Sequence, residues 1–384
     1  MSSLDLVLAC GRGEVGEVRR LVRAPGVDVN AQAGWQGCTA LSRASGEGHV
    51  EVVDVLLEVP GIDVNLGNDV GETPLFHACA GGHLEAVRVL LRAPGIDVNR
   101  GDSVGRTPLH MASLGGHVQE VKTLLQTPGI GVNHANGGGV TSLHIASVEG
   151  HLDVVLALLQ MPGIDVNCAD HHGWRWMHDW GFTTTDFEAY RDGQTPLWYA
   201  CSVGHLAVAR ALLRMPGIDV NRAGSHGRTP LHVASEGGHV KIVEALLQMP
   251  GIALNPTDSR GQTPLYVACN PRPFRRLFDA RVAMMLVDSG AQVNVRDRTG
   301  QSPLEFLCRG HGGVGECVQS VKARAGPLLM VVLLAGLPNG MAVNLVMQCM
   351  EGWQRVVARL LRAGASVLRR SERILRQRRR RARF

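Results

Sequence analysis

Aromatic residues are scarce in this chain. They make up 4% of its 384 residues, although 45% of the residues are hydrophobic. A core built around large rings is therefore not expected, and the buried surface must come from Leu, Val, Ile and Ala packed against small residues. A chain of this length can bury a large core, but length alone does not fix the number of domains.

Several sequence motifs of common enzyme classes are also missing. The chain contains no GxxxxGK[ST] or HExxH pattern and no CxxC pair, so these phosphate-binding, zinc-protease and redox sites are not indicated. The glycine-rich residues 137–139 lie in a polar stretch and not between a strand and a long helix. We therefore expect no catalytic residues, no cofactor and no enzymatic activity.

No segment is long and apolar enough to be predicted as a transmembrane helix. The most apolar run, residues 328–337 (LLMVVLLAGL), has ten residues, which as a helix span only about half of a ~30 Å hydrocarbon core. We interpret this run as a buried helix. At the N-terminus, MSSLDLVLAC leads directly into the charged GRGEVGEVRR, so no secretory signal peptide is expected.

Glycine, by contrast, is abundant and recurs at a fixed interval. The interval is 34 residues, and the glycines that show it are Gly37, Gly71, Gly105, Gly139 and Gly173, then Gly193, Gly227 and Gly261. A fixed period of this length is typical of a stacked array of small units rather than of one globular core.

Residues 105–133 (GRTPLHMASLGGHVQEVKTLLQTPGIGVN) show what one unit contains. Thr107 and Pro108 predict the start of a short helix, which a Gly-Gly pair ends. A second helix follows, with Val121 and Leu124 on its apolar face, and a polar, glycine-rich stretch after it predicts a hairpin-like turn. Neither helix is long enough to be stable alone, so each must pack against neighbouring units.

The pattern G-x-TPLH-x-A-x3-GH-x2-V-x2-LL-x2-PG-I-x-VN resembles the ankyrin repeat, in a 34-residue variant. It recurs as GETPLFHACAGGH, GRTPLHMASLGGH, GVTSLHIASVEGH, GQTPLWYACSVGH and GRTPLHVASEGGH, and the resemblance covers residues 4–310. It implies an all-α ankyrin-repeat solenoid of paired antiparallel helices with β-hairpin-like turns, in about nine to ten units. It also implies that the histidines of the Gly-His and TPLH positions tie adjacent units together.

Departures from the repeat predict five segments. Residues 1–167 hold units 1 to 5, of which the first is degenerate and is expected to be more polar because its outer face meets water. Residues 168–192 form a Trp-rich insertion at a repeat turn, which delays the next repeat by 20 residues and is expected to leave the stack at a hairpin tip. Residues 193–299 hold units 6 to 8, residues 300–368 hold degenerate repeats and a C-terminal cap, and residues 369–384 form an Arg-rich tail.

Four cysteines occupy one position of the repeat. Cys10, Cys79, Cys201 and Cys269 each follow an alanine in the first helix of a unit, where other units carry serine, and the total of nine cysteines is odd. We interpret them as small buried side chains in a reducing compartment and not as disulfide partners.

A metal site is not predicted at the insertion either. Residue types that bind zinc do occur there, namely Cys168, Asp170, His171, His172 and His178. Their spacing matches no paired-ligand pattern, so we interpret them as an exposed polar insertion without a metal.

The resemblance to ankyrin repeats implies binding of a protein partner along the concave surface, through hairpin tips and exposed positions of the first helices. The predicted partner-binding residues are Asp69, Val70, Glu72, Ser103, Val104, Arg106, Trp198, Ser225, His226, Arg228, Arg260 and Tyr266. Trp198 and Tyr266, like Phe76, replace the TPLH histidine, so they either pack between units or contact a partner in the groove. The partner itself is not indicated. We expect a monomer that works in the cytoplasm, the nucleus or both.

The tail changes the charge of the whole chain. From residue 369 onward there are nine Arg and one Glu, a charge of +8 against +5 for the entire chain, so the rest is net negative. The densest part consists of Arg376, Arg378, Arg379, Arg380, Arg381 and Arg383. Such a run is a solvated like-charge segment, a signal for an import receptor, or a direct contact with nucleic acid or anionic membrane. In the last case the tail would carry the binding and the array would present it.

Overall fold

The computed structural model describes residues 3–171, 193–224, 226–269, 280–292 and 295–302. These residues form eight consecutive pairs of α-helices, numbered here as units 1 to 8, each with a first and a second helix. The pairs are Ser3–Gly11 with Val15–Leu21, Ala40–Gly46 with Val50–Leu57, Pro74–Gly81 with Leu84–Leu90, Pro108–Leu114 with Val118–Leu125, Ser142–Glu149 with Leu152–Leu159, Pro196–Val203 with Leu206–Leu213, Pro230–Glu236 with Val240–Leu247, and Pro264–Cys269 with Ala280–Asp288. A short 3-10 helix, Trp35–Gly37, precedes unit 2.

The first helices begin as the sequence predicts. In unit 4, the Thr107 side chain accepts a hydrogen bond from the N3 backbone, and Nδ1 of His110 accepts one from the Thr107 N–H at 3.0 Å. Pro108 occupies the first turn, where its missing N–H leaves no intrahelical bond unmade. In unit 3, Thr73 accepts from the N–H of Phe76. Capping by threonine therefore sets the start of these helices.

The buried face is built from aliphatic side chains of both helices. Val121 and Leu124 of unit 4 are completely buried, as the predicted apolar face requires. From unit 1 to unit 6, each first helix packs against the first helix of the next unit, and second helices also pack on second helices. This stacking continues between units 5 and 6, across the insertion.

The chain divides into two compact parts. The first comprises the described residues up to Pro230 together with Gln248–Ile252, and the second comprises those of Leu231–Leu247 and from Ala253 onward. The first part contains the stack of units 1 to 6. In the second part, the second helices of units 7 and 8 pack against each other.

The predicted all-α class is confirmed for the described residues, in which the only β pairing is an isolated bridge between Ala135 and Thr141. None of the helices found there is long and apolar enough to cross a membrane. The degenerate repeats and cap predicted at 300–368, including the apolar run 328–337, lie almost wholly outside the described residues, and so does the tail. In the first unit, Leu4 and Leu8 are exposed together with charged side chains such as Arg12 and Glu14, so the more polar character of this end unit stays a prediction.

The cysteine position of the first helix is buried, as predicted. Cys10, Cys79, Cys201 and Cys269 are free thiols with almost no exposed surface. Burial raises the pKa of Cys10 and of Cys269 to about 12, because the thiolate would lose its hydration. These thiols therefore stay protonated and act as small apolar groups.

Candidate partner-binding surface

The turn before a first helix is called here the tip of that unit, and in units 3 and 4 one side chain closes it. In unit 3 the tip is residues 68–72, where the Asn68 N–H donates to the Glu72 carbonyl at 3.1 Å. Oδ1 of Asn68 accepts from the N–H groups of Val70 and Glu72, at 3.1 and 2.9 Å. Asp102 closes the tip of unit 4, residues 102–106, in the same way. In these two units the predicted hairpin-like turns are therefore closed loops whose shape depends on an Asn or Asp.

Backbone hydrogen bonds also connect one tip to the next. They run from Asp69 N–H to Gln36 O at 3.1 Å, from Ser103 N–H to Val70 O at 2.8 Å, from Gly137 N–H to Val104 O at 2.8 Å, and from His171 N–H to Gly138 O at 2.7 Å. In the second part, Arg298 N–H donates to Arg260 O at 2.9 Å. Since these bonds use only backbone atoms, they fix the spacing of the tips whatever side chains the tips carry.

Five of the predicted binding residues have exposed side chains at tips. Asp69 and Val70 are exposed on unit 3, Ser103 and Val104 on unit 4, and Arg260 on unit 8. They protrude from a fixed backbone, which is the placement that contact with a partner requires.

Glu72 and Arg106 are engaged in a contact between units 3 and 4. Nε of Arg106 donates to Oδ2 of Asp102 at 2.5 Å, and its Nη2 donates to Oε1 of Glu72 at 3.3 Å. The guanidinium also lies 5.5 Å from the ring centroid of Phe76, within range of a cation–π interaction. Both side chains are less than a fifth exposed. Their first role is to join two units.

The imidazole of His77 lies beside this network. Its Nε2 is 3.6 Å from Oε2 of Glu72. Burial lowers the pKa of His77, an effect that outweighs the attraction of the Glu72 carboxylate, so the ring is neutral at pH 7.

In units 3 to 8 the position of the TPLH histidine is filled by a buried ring. Nε2 of His110 donates to the Val140 carbonyl at 2.9 Å, and the ring of His232 bonds Gln262 O at 3.0 Å, both 30 residues ahead. Trp198 makes the same connection, because its indole N–H donates to the Arg228 carbonyl at 3.0 Å.

The aromatic replacements are accordingly buried. Phe76, Trp198 and Tyr266 each expose no more than 3% of their surface. Packing between units accounts for this placement. Contact of Trp198 or Tyr266 with a partner stays a prediction.

The Gly-His histidines also have the connecting role that the resemblance implies. Nε2 of His49, His83, His151 and His205 lies 2.8–3.2 Å from a backbone carbonyl of the preceding unit. A matching row of asparagines connects the closing turns, for example Asn65 Nδ2 to Gly95 O at 2.7 Å. These polar side chains hold the stack together.

Both ends of the insertion lie at a tip. Asp170 N–H donates to Gln194 O at 3.1 Å and Gly193 N–H donates to Asp170 O at 2.8 Å. Asn136 makes the equivalent bonds with Val140 and Gly139 in unit 5. The loop therefore closes at its base as a regular tip does, although 20 extra residues separate the two sides.

Tyr199, which was not predicted from the sequence, stabilises the base of this loop. The hydroxyl of Tyr199 donates to Oδ2 of Asp170 at 2.6 Å, and Oδ1 of Asp170 accepts from the Gln194 N–H at 2.8 Å. The only signal in the sequence was a tyrosine where other units carry Met111 or Ile145.

The remaining predicted residues are dispersed. Arg228 is buried and His226 half-buried at the tip of unit 7. Ser225 and the six tail arginines lie outside the described residues. Of the residues interpreted as an exposed polar insertion, His171 is exposed and Cys168 is half-buried. For Asp170 the interpretation was wrong, because its side chain is buried at the base of the loop. In the described ranges, no group of three or more His, Cys, Asp or Glu is placed to hold a metal ion.

Stacked helix pairs with a row of interlinked tips define a helical-repeat array. A family model described as ankyrin repeats matches residues 6–102, 94–170, 176–258 and 224–297, which is well over half of the chain. The chain therefore belongs to the ankyrin-repeat family, whose repeats are protein–protein interaction domains. No individual curated protein matches the chain.

Proposed function

We propose that this protein is a non-enzymatic scaffold or adaptor that binds a protein partner along the concave surface of its array. The observation that carries the proposal is the row of tips, in which hydrogen bonds fix the backbone while Asp69, Val70, Ser103 and Val104 remain exposed. A preformed surface loses little conformational entropy when it binds, so variable side chains on a fixed frame suit recognition.

The chemistry of the described side chains supports a binding role over a catalytic one. The histidines of the repeat positions bond backbone carbonyls of neighbouring units. The thiol pKa values of Cys10 and Cys269 are raised to about 12 by burial, whereas a nucleophilic cysteine needs an accessible thiolate.

The proposal is tested with an interaction partner captured on the immobilised full chain and then purified. Ser103→Arg and Val104→Arg change exposed side chains without altering the backbone bonds of the tip, and we expect each to weaken binding at least tenfold. Leu156→Arg changes an equally exposed side chain on a second helix and serves as the control. A partner that binds both tip variants and the wild-type chain equally well would contradict a tip-based surface.

The charge of the tail favours a second candidate function. The tail, with a charge of +8, would bind nucleic acid, anionic membrane or an import receptor. Binding of an import receptor would place the protein in the nucleus. Deletion of residues 369–384 distinguishes the two functions. If the array carries the binding, a monomeric deletion variant keeps the protein partner with little dependence on salt. If binding disappears with the tail and the wild-type affinity falls steeply with salt, the tail carries the function.

A further inference from the structure

Among the described tips, those of units 3 and 4 have exposed apolar side chains at their ends. Val70 and Val104 are 36% and 49% exposed, although most large apolar side chains are buried. The two valines occupy the same position of successive tips, and the bond from Ser103 N–H to Val70 O holds those tips side by side. They form a small apolar ridge, defined here as Val70 and Val104.

Beside the ridge, the tip of unit 5 has no protruding side chains. The next tip carries Gly137 and Gly138 at the corresponding positions, and Gly137 is tied to Val104 by a 2.8 Å backbone bond. Because neither glycine has a side chain, a partner backbone can approach the unit 5 tip closely beside Val104.

The charge around the ridge is negative. The tips of units 3 and 4 contain three carboxylates, Asp69, Glu72 and Asp102, against one guanidinium, Arg106. Arg106 already pairs with both Glu72 and Asp102, so the exposed Asp69 carboxylate is the charge best placed to attract a cation. Arg43 of unit 2 is engaged elsewhere, because it forms an ion pair with Glu47 at 3.1 Å.

We propose that the ridge and Asp69 together bind an extended segment of another protein in which an aliphatic residue lies next to a lysine or arginine. The aliphatic side chain covers the valines and the cation pairs with Asp69. This inference rests on the proposed scaffold function and deepens it, because it states which tips make contact and what chemistry they select.

A library of random twelve-residue peptides displayed on phage and panned on the full-length chain tests the inference. The expected result is enrichment of peptides with Leu, Ile or Val within three positions of Lys or Arg. Binding of such a peptide should fall at least tenfold for the triple variant Asp69→Asn, Val70→Thr, Val104→Thr. These substitutions preserve side-chain size at exposed positions, and circular dichroism verifies that the helices remain.

The control is the double variant Asp153→Asn, Leu156→Gln, which removes one exposed charge and one exposed apolar side chain on the second helix of unit 5. It should change peptide binding less than twofold. Enrichment of acidic peptides, or equal binding by the triple variant, overturns the inference. The scaffold function still stands if Ser103→Arg weakens binding of the captured partner at least tenfold. If no peptide is enriched the inference also fails, and if no protein partner is captured either, the scaffold function fails with it.

Discussion

Buried histidines stabilise the fold and also make its stability depend on pH. His110 accepts a hydrogen bond from the Thr107 N–H at its Nδ1 and bonds the Val140 carbonyl through Nε2 at 2.9 Å. A second proton would place a donor against the Thr107 N–H and a charge in an apolar surrounding. Burial therefore lowers the pKa of His110, and that of His144 in unit 5, to about 4.

We predict that stability decreases between about pH 6.5 and pH 4. The imidazoles bind protons in the unfolded chain near pH 6.5 but in the folded chain only near pH 4, so the unfolded state gains protons first as the pH falls. Each histidine should contribute up to roughly 2–3 kcal/mol of this loss. Urea unfolding of the wild-type chain and of the double variant His110→Gln, His144→Gln, from pH 7.5 to pH 4, measures the difference. Equal pH dependence in the two proteins would contradict the assignment.

Leu124 allows a test of the inward face with a residue of the same type as control. Leu124 is completely buried and Leu156 is 42% exposed, each on a second helix of neighbouring units. Leu124→Ala should lower the free energy of unfolding by roughly 2–5 kcal/mol, because it removes buried methyl groups and leaves a cavity. Leu156→Ala should cost under about 1 kcal/mol. Chemical denaturation compares them, and similar losses would mean that the apolar face is assigned wrongly.

At the scale of an element, the tip is the part of the repeat that tolerates added sequence. The bonds between Asp170 and Gly193–Gln194 reproduce those of a regular tip, and Tyr199 secures Asp170 from the following helix. The cost of a longer loop grows only slowly with its length, so an insertion with a fixed base disturbs the stack little.

Deletion of residues 173–192 should therefore leave the fold intact. It joins His172 to Gly193 and restores the 34-residue interval. We expect a free energy of unfolding within about 1 kcal/mol of the wild-type value. A deletion of equal length at 183–202 removes most of the helix Pro196–Val203 and should unfold unit 6. Hydrogen exchange of the peptides from units 5 and 6 distinguishes the outcomes, and loss of their protection in the first variant would show that the insertion supports the stack.

The positions of the helices and turns could be predicted from the sequence better than the burial and contacts of their side chains. Periodic glycines and Thr-Pro pairs determine where helices begin, and these features are local, so helix pairs and turns could be placed without coordinates. Burial of Trp198 could not be decided from sequence, because it depends on the Arg228 carbonyl 30 residues away. The same holds for the Arg106 network, since its partners Glu72 and Phe76 come from another unit.

At the scale of the whole molecule, the regular interval brings the described helices of adjacent units into contact within each compact part. Bonds such as His83 to Gly46 and Asn99 to Gly129 each span about one repeat of chain. The stability of such an array is close to a sum of unit and nearest-neighbour terms, so parts of it can unfold separately. Because the chain divides into two compact parts, we expect each part to have its own unfolding transition.

We accordingly predict that unfolding is broad or occurs in more than one step, and that core substitutions act locally. Leu124 lies in the first part and Leu246 in the second, and both are completely buried. Leu124→Ala should lower hydrogen-exchange protection in units 3 to 5 and leave units 7 and 8 unchanged, because the lost contacts reach only neighbouring units. Leu246→Ala should have the reverse effect. If either substitution lowers protection equally in all units, the chain unfolds as one cooperative body, and the nearest-neighbour description fails for this protein.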